Sequence, residues 1–217
     1  VLSRQGANGP EVLMGQRGAS AAFMPNKFVF PGGAVDAADM TVPLAAPLAP
    51  GCAARITQHG RADDRDGRGT AQALAAAAIR ELWEETGLIV GQPGRWPDTP
   101  PVDWAQFAAE GFLPDASGLT FFFRAITPPG RPRRFDARFF LADAARVMGA
   151  ADDFHRASDE LSHLQWIPLS QVRRFNLPFI TEVALAEVAE LLAKGGAPGS
   201  VPFFDNSSDT PTFRRIA

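Results

Sequence analysis

The chain of 217 residues has one cysteine, Cys52, so it has no internal disulfide to form and no cysteine cluster to hold zinc. A reducing, cytoplasmic setting is the expectation that follows. Long apolar runs are also missing. The longest is Ala73–Ile79, far short of the ~20 residues a membrane-spanning helix needs. The opening Val1-Leu2-Ser3-Arg4-Gln5 carries no apolar block of signal-peptide length, and its lack of a starting methionine leads us to expect a few preceding residues. The three histidines, His59, His155 and His163, stand at no ligand spacing. Neither GxGxxG nor GxxxxGK[ST] occurs, which removes the two standard nucleotide fingerprints. Excess positive charge is lacking too: 21 Lys and Arg against 24 Asp and Glu give a net charge of −3. A general nucleic-acid binder is usually basic, so an anionic substrate would have to be met by a local patch or a metal.

The hydrophobic fraction of 46% and charged fraction of 21% are ordinary for a globular chain and exclude wholesale disorder, collagen and coiled coil. Glu11–Arg17 and Phe28–Phe30 read as strands, the second stopped by Pro31-Gly32-Gly33. Residues 34–69 read as a long, partly flexible surface insertion, broken by Pro43, Pro47 and Pro50 and closed by a charged run. Ala71–Thr86 is Ala-rich and free of Gly and Pro; with Thr70 as cap and Gly87 as terminator it is the best helix of the chain. Strands are expected at Leu88–Val90, Leu119–Thr127, Phe135–Leu141 and Leu164–Ile167. Helices are expected at Val102–Ala109, Leu169–Phe175 and Pro178–Leu192. Phe121, Phe122, Phe123, Phe139 and Phe140 read as core strand residues. The Gly-, Pro-, Ser- and Asn-rich tail 195–217 reads as loosely ordered. The order of strands and helices fits a mixed sheet sandwiched by helices, an α+β class, better than a Rossmann unit.

The chemistry concentrates in Arg80-Glu81-Leu82-Trp83-Glu84-Glu85-Thr86-Gly87-Leu88. On a helix, Glu81 and Glu85 are i and i+4, and Glu84 is i+3 from Glu81, so three carboxylates crowd one side. They repel one another and sit at the helix end where the dipole disfavours anions. A divalent cation removes both penalties. Oxygen donors without His or Cys suit Mg²⁺ (or Mn²⁺), and Mg²⁺ favours phosphate oxygens, which points to a phosphate ester or anhydride as substrate. The plain alternative is a solvated acidic helix end in which Arg80 pairs with Glu84. Against it, five fixed identities at roughly 6% usage over about 200 start positions match by chance on the order of 10⁻⁴.

Arg80–Leu88 resembles the core of the Nudix box, REUxEExGU with U apolar, at every specified position. That box opens with a glycine, five residues, a glutamate and seven more residues before the arginine. Gly33 fits the opening glycine, but Arg80 stands 47 positions after it instead of 14, so 33 extra residues split the box. Gln72 occupies the place eight before Arg80 where the glutamate would sit, and Asp36 or Asp39 is the candidate substitute. FVFPGG (Phe28–Gly33), RRFDARFF (Arg133–Phe140) and Glu160, six residues before Trp166, are similar to a Nudix branch with a long insertion in its box, whose animal members include peroxisomal coenzyme A diphosphatases. No peroxisomal tripeptide ends the chain, so location does not carry over.

The resemblance implies an α/β/α Nudix sandwich over residues 1–194 and a diphosphatase activity. Glu84 and Glu85 would bind the metal, helped by Glu81 and the carbonyl near Gly33. Glu81 would alternatively orient or deprotonate water, Arg80 would hold the carboxylates, and Glu160 would be a further ligand or base. Arg124, Arg131, Arg133, Arg134 and Arg138 are dense for an acidic chain and read either as a phosphate clamp or as exposed strand charges; Arg17 and Lys27 flank the presumed cleft. The expected substrate is coenzyme A, an acyl-coenzyme A, ADP-ribose, NADH or another nucleoside diphosphate derivative. No nucleic-acid polymer and no membrane is expected as partner, and a homodimer stays open as the assembly. A non-catalytic ligand-binding module and a nucleic-acid binder using the arginine-rich hairpin are the rival readings. The intact box carboxylates argue against the first and the negative net charge against the second.

Overall fold

The computed structural model describes residues 1–19, 21, 24–59, 70–131, 133–208 and 210–217. Phe23, most of the charged run before Thr70, and Pro132 lie outside them. The chain opens with β1 (Leu2–Gly6), β2 (Gly9–Arg17) and β3 (Phe28–Val29), then a 3-10 turn (Ala37–Met40), α1 (Pro50–Thr57) and α2 (Ala71–Thr86). Next come β4 (Ile89–Pro93), a 3-10 turn (Val102–Trp104) running into α3 (Ala105–Ala109), β5 (Phe112–Pro114), β6 (Thr120–Ile126), β7 (Asp136–Asp143) and β8 (Val147–Met148). Finally β9 (Leu161–Pro168), a 3-10 stretch (Leu169–Arg174), α4 (Phe179–Lys194), β10 (Val201–Asp205) and β11 (Thr212–Ile216) complete the described elements.

The main sheet runs β11-β10-β6-β7-β1-β2-β3, with β9 also paired to β2. The β1–β7 and β10–β6 pairs are parallel and the others antiparallel, so the sheet is mixed as expected. A smaller sheet, β5-β4-β8, stands beside it. One face of the main sheet packs Phe121 and Phe140 with Ile79, Leu82 and Trp83 of α2; the other packs Val12, Met14, Phe122 and Phe123 with Ala184, Leu185 and Val188 of α4. Helices therefore cover both faces of an α/β/α sandwich. A register shift between Phe121 and Phe123 puts the adjacent Phe122 and Phe123 into one core layer, which strict alternation would separate.

Two expectations need correction. Residues 195–217 are not a loose tail: β10 and β11 form the edge of the main sheet, with Val201, Phe203 and Ile216 buried. The described part of the 34–69 segment is not a surface excursion either. Val42, Leu48 and Ile56 enter the same core as Ile79 and Phe203. Arg55 of α1 donates to the Pro198 and Gly199 carbonyls at 2.7 and 3.0 Å, and Gln58 donates to the Ala217 carbonyl at 2.8 Å. The insertion and the C-terminal strands hold each other in place. Among the described residues no helix is long and apolar enough to cross a membrane.

Candidate active site

α2 presents the acidic segment on its last two turns. The Thr70 side-chain oxygen accepts from the Ala73 N–H at 3.2 Å and starts the helix. Gly87 ends it in the left-handed region, φ 72°, with its N–H on the Trp83 carbonyl at 2.7 Å. Burial of Ile79, Leu82 and Trp83 fixes the rotation of the helix. Three of its side chains then meet the strand exit after β3. Arg80 Nη2 donates to the Ala34 carbonyl at 2.8 Å, and the Gly32 N–H donates to Glu85 Oε2 at 2.7 Å. At Gly33 a Cβ would run into the Glu81 carboxylate, so a larger residue there would push that side chain from its present place.

Arg80 is the hub, with only 3% of its side chain exposed. Its Nε and Nη2 clasp both oxygens of Asp39 at 3.1 and 3.0 Å, and Nη1 reaches Glu81 Oε1 at 3.1 Å and Glu84 Oε2 at 3.0 Å. Asp36 adds a contact at 3.2 Å from an exposed position. Asp39 is fully buried and accepts two further bonds, from Trp104 Nε1 at 3.1 Å and from the Asp36 N–H at 2.8 Å. Burial pulls on the Arg80 charge, but the bonds and charge of Asp39 outweigh it and hold the guanidinium well above its usual range. Arg80 in turn ties Glu81 to Glu84.

The carboxyls behave as a crowded, desolvated set. Burial pushes Glu81 up to about 7, against the pull of Arg80 and with a further push from Glu84 and Glu160. Burial pushes Glu85 up to about 8, against the Gly32 N–H and with a push from Glu81 and Glu160. Glu84, less buried, is raised for the same reasons. Because the folded state holds these protons more tightly than the unfolded chain, the stability they contribute is complete below about pH 4.5 and is lost as pH rises through the folded values. In chelator, melting temperature should fall as pH is raised from about 5 to about 9, and Glu85→Gln should flatten the fall. A wild-type melting temperature that rises across this window would contradict the assigned burial.

Among the described residues no three acidic, histidine or cysteine side chains already stand around a metal-sized point; Arg80 Nη1 sits between Glu81 and Glu84. The chemistry of the donors still fits a hard divalent cation. All are oxygens, Glu81 and Glu85 are desolvated like charges, and the hydrogen-bond partner of Glu85 is an uncharged N–H.

The remaining sequence candidates separate. Glu160, 55% exposed, pairs with Arg17 Nη2 at 3.2 Å, and its charge is felt at both Glu81 and Glu85. Arg17 closes β2, its charge felt at Glu85. Lys27 is engaged elsewhere, donating to Asn176 Oδ1 and the Leu177 carbonyl. Arg133 and Arg134 are exposed on the β6–β7 hairpin, where Arg134 Nε donates to the Thr127 carbonyl at 3.1 Å. Since β7 is parallel to β1 and β2 antiparallel to it, that hairpin lies at the same end of the sheet as Arg17. Arg124 does not belong to a phosphate clamp. It is fully buried, forked onto Asp136 at 2.8 and 2.7 Å, and caps α1 through the Gln58 and His59 carbonyls. Trp104 escaped the sequence reading; an indole N–H is a common partner for a buried carboxylate, but no local pattern pairs it with Asp39.

No family model matches the chain. It is 30% identical over 168 residues to the Caenorhabditis elegans protein named "Putative nudix hydrolase 7", an alignment covering 72% of this chain and 46% of that one. It is 31% identical over 179 residues to the acyl-coenzyme A diphosphatase NUDT19 of Gallus gallus, covering 60% of this chain and 47% of that one. The crystal structure of a NUDIX hydrolase from Alicyclobacillus acidocaldarius superposes with a TM-score of 0.62 at 27% identity, covering 92% of this chain and 95% of that one. In sequence and in fold the chain is similar to Nudix hydrolases. It spans about half the length of the curated relatives it matches.

Within the Nudix box the geometry corrects the count made from Arg80 backwards. Gln72 lies on the first turn of α2, eight residues or about 12 Å of helix rise from Arg80, too far to brace it. It donates instead to the Val42 carbonyl at 3.1 Å. Counted forwards, five residues separate Gly33 from Asp39, the interval at which the Nudix box places its first glutamate. Asp39 makes the brace, so the 33 extra residues follow it rather than preceding Gln72.

Proposed function

We propose that this chain is a metal-dependent diphosphatase that hydrolyses the diphosphate linkage of a nucleoside diphosphate derivative, with coenzyme A or an acyl-coenzyme A as the favoured substrate. The observation that carries the reading is the joining of Glu81 and Glu84 by one buried arginine, with Glu85 bonded to the Gly32 N–H and Glu81 lying against Gly33. The coenzyme A choice is supported by the split box and by the relative named an acyl-coenzyme A diphosphatase.

Glu81, Glu84, Glu85 and the Gly33 carbonyl would hold Mg²⁺ or Mn²⁺. The chemistry such an ion supplies when bound is neutralisation of the diphosphate charge and a lower pKa for water. The protein groups do the rest. Arg80, itself held by Asp39, ties Glu81 to Glu84 and limits how far the two carboxyls can turn. Whichever of Glu81 and Glu85 is not taken up by the ion would orient the attacking water and accept its proton. Water oxygen bonds to one phosphorus, the bond from that phosphorus to the bridging oxygen breaks, and the other phosphate leaves. From coenzyme A the products would be 3′,5′-ADP and 4′-phosphopantetheine.

The test is a substrate panel with Mg²⁺: coenzyme A, acetyl-coenzyme A, ADP-ribose and NADH, with the two halves of each cleaved diphosphate separated by chromatography. Cleavage of the coenzyme A pair above the others is expected. Preference for ADP-ribose or NADH would move the substrate assignment, and cleavage of none would favour a ligand-binding module.

A further inference from the structure

We infer that Arg17 is a latched phosphate-binding residue: Glu160 holds half of its guanidinium fork, and an incoming diphosphate displaces Glu160 from it. This rests on the diphosphatase reading above and adds the group that receives the substrate.

The Nε–Nη2 edge of a guanidinium matches two oxygens of one acid group. Among the described residues that edge is used in full by Arg80 on Asp39 at 3.1 and 3.0 Å, and by Arg124 on Asp136 at 2.8 and 2.7 Å. Arg17 departs from this. Its Nη2 reaches a single oxygen of Glu160 at 3.2 Å, and its Nε is buried with no hydrogen-bond partner among the described residues. A buried N–H without an acceptor is rare and costly in a native fold. An oxyanion with two oxygens facing that edge would satisfy it.

The position is right for a substrate phosphate. Arg17 ends β2 opposite Leu161, the residue after Glu160, and its charge is felt at Glu85. Glu160 is a weak holder. It is 55% exposed, and exposed pairs of this kind contribute little. A phosphate group brings more charge and a second acceptor, so exchange favours the substrate. Until it arrives, Glu160 keeps the arginine extended and partly neutralised.

The latch has a signature that a structural ion pair lacks: removing its two members shifts ligand affinity in opposite directions. Binding of α,β-methylene-ADP, which the reaction cannot cleave, is measured by calorimetry with Mg²⁺ present. Arg17→Ala should weaken binding about 10- to 100-fold, as expected for loss of hydrogen bonds to a charged group. Arg17→Lys should fall between, since an ammonium lacks the fork. Glu160→Gln should tighten binding about 2- to 5-fold by releasing the arginine. Unchanged or weaker binding in Glu160→Gln, or unchanged binding in Arg17→Ala, overturns the latch while a diphosphate-cleaving wild type leaves the functional reading standing. A wild-type chain that neither binds the analogue nor cleaves any diphosphate overturns both.

Discussion

Asp39→Ala should lower the stability of the chain by about 3–5 kcal/mol, the range found when one member of a buried ion pair is removed. For a chain of this size that corresponds to a fall in melting temperature of roughly 10 °C. Asp39 is fully buried and accepts from Arg80 twice, from Trp104 and from the Asp36 N–H. Without it the Arg80 guanidinium remains enclosed, with Glu81 and Glu84 as its closest carboxylates, both displaced from the forked edge. The indole N–H loses its acceptor as well. Gln72→Ala is the matched control: it removes one bond, to the Val42 carbonyl, and should cost about 1 kcal/mol. Thermal unfolding of the two variants decides the matter. Equal and small shifts would mean that Asp39 does not brace the box arginine.

The contrast between these two residues shows where the sequence was legible. The segment Arg80–Leu88 is contiguous and helical, so its spacing alone reports that the carboxylates share a face. The helix that carries it could be bounded to the residue because Thr70 and Gly87 are strong start and stop signals. The brace is spread along the chain. Asp39 lies 41 residues before Arg80 and Trp104 lies 65 after Asp39, and no local periodicity links positions so far apart. The spacing from Gly33 to Asp39 was visible, but counting from Arg80 through an insertion led to Gln72.

Prolines and glycines misled in the same way. Pro50 suggested a broken surface loop, yet proline is favoured at the first position of a helix, and Pro50 starts α1. In the C-terminal stretch, the turn residues around Gly195–Ser200 and Asn206–Ser208 dominated the composition. The strands that follow each turn segment are five residues long, too short to announce a period, and they are stabilised by the pairing of β10 with β6 and of the two with each other. The arginine-rich segment mixed several roles: Arg124 is a core strut and Arg134 holds its own hairpin, while their sequence neighbourhood is equally basic.

Glu84→Gln should leave the fold intact and cut turnover about 100-fold or more, as expected when a charge aimed at the reacting group is removed. Glu84 is partly exposed, with 37% of its side chain accessible, and its bond to Arg80 Nη1 can be kept by the glutamine carbonyl. Its backbone carbonyl, which accepts from the Ser158 N–H at 3.0 Å, is unaffected. The melting temperature should therefore move by no more than about 2 °C, the effect of an ordinary partly exposed substitution. What is lost is one negative charge of the three that are proposed to hold the cation against a diphosphate. The most direct measurement is the rate at which coenzyme A is converted to 3′,5′-ADP and 4′-phosphopantetheine, followed by chromatography, for wild type and Glu84→Gln side by side with Mg²⁺ at a temperature where both are folded. Cleavage by the wild type and its near abolition in the variant is the predicted result; equal rates in the two proteins would contradict the assignment of chemistry to this turn of helix.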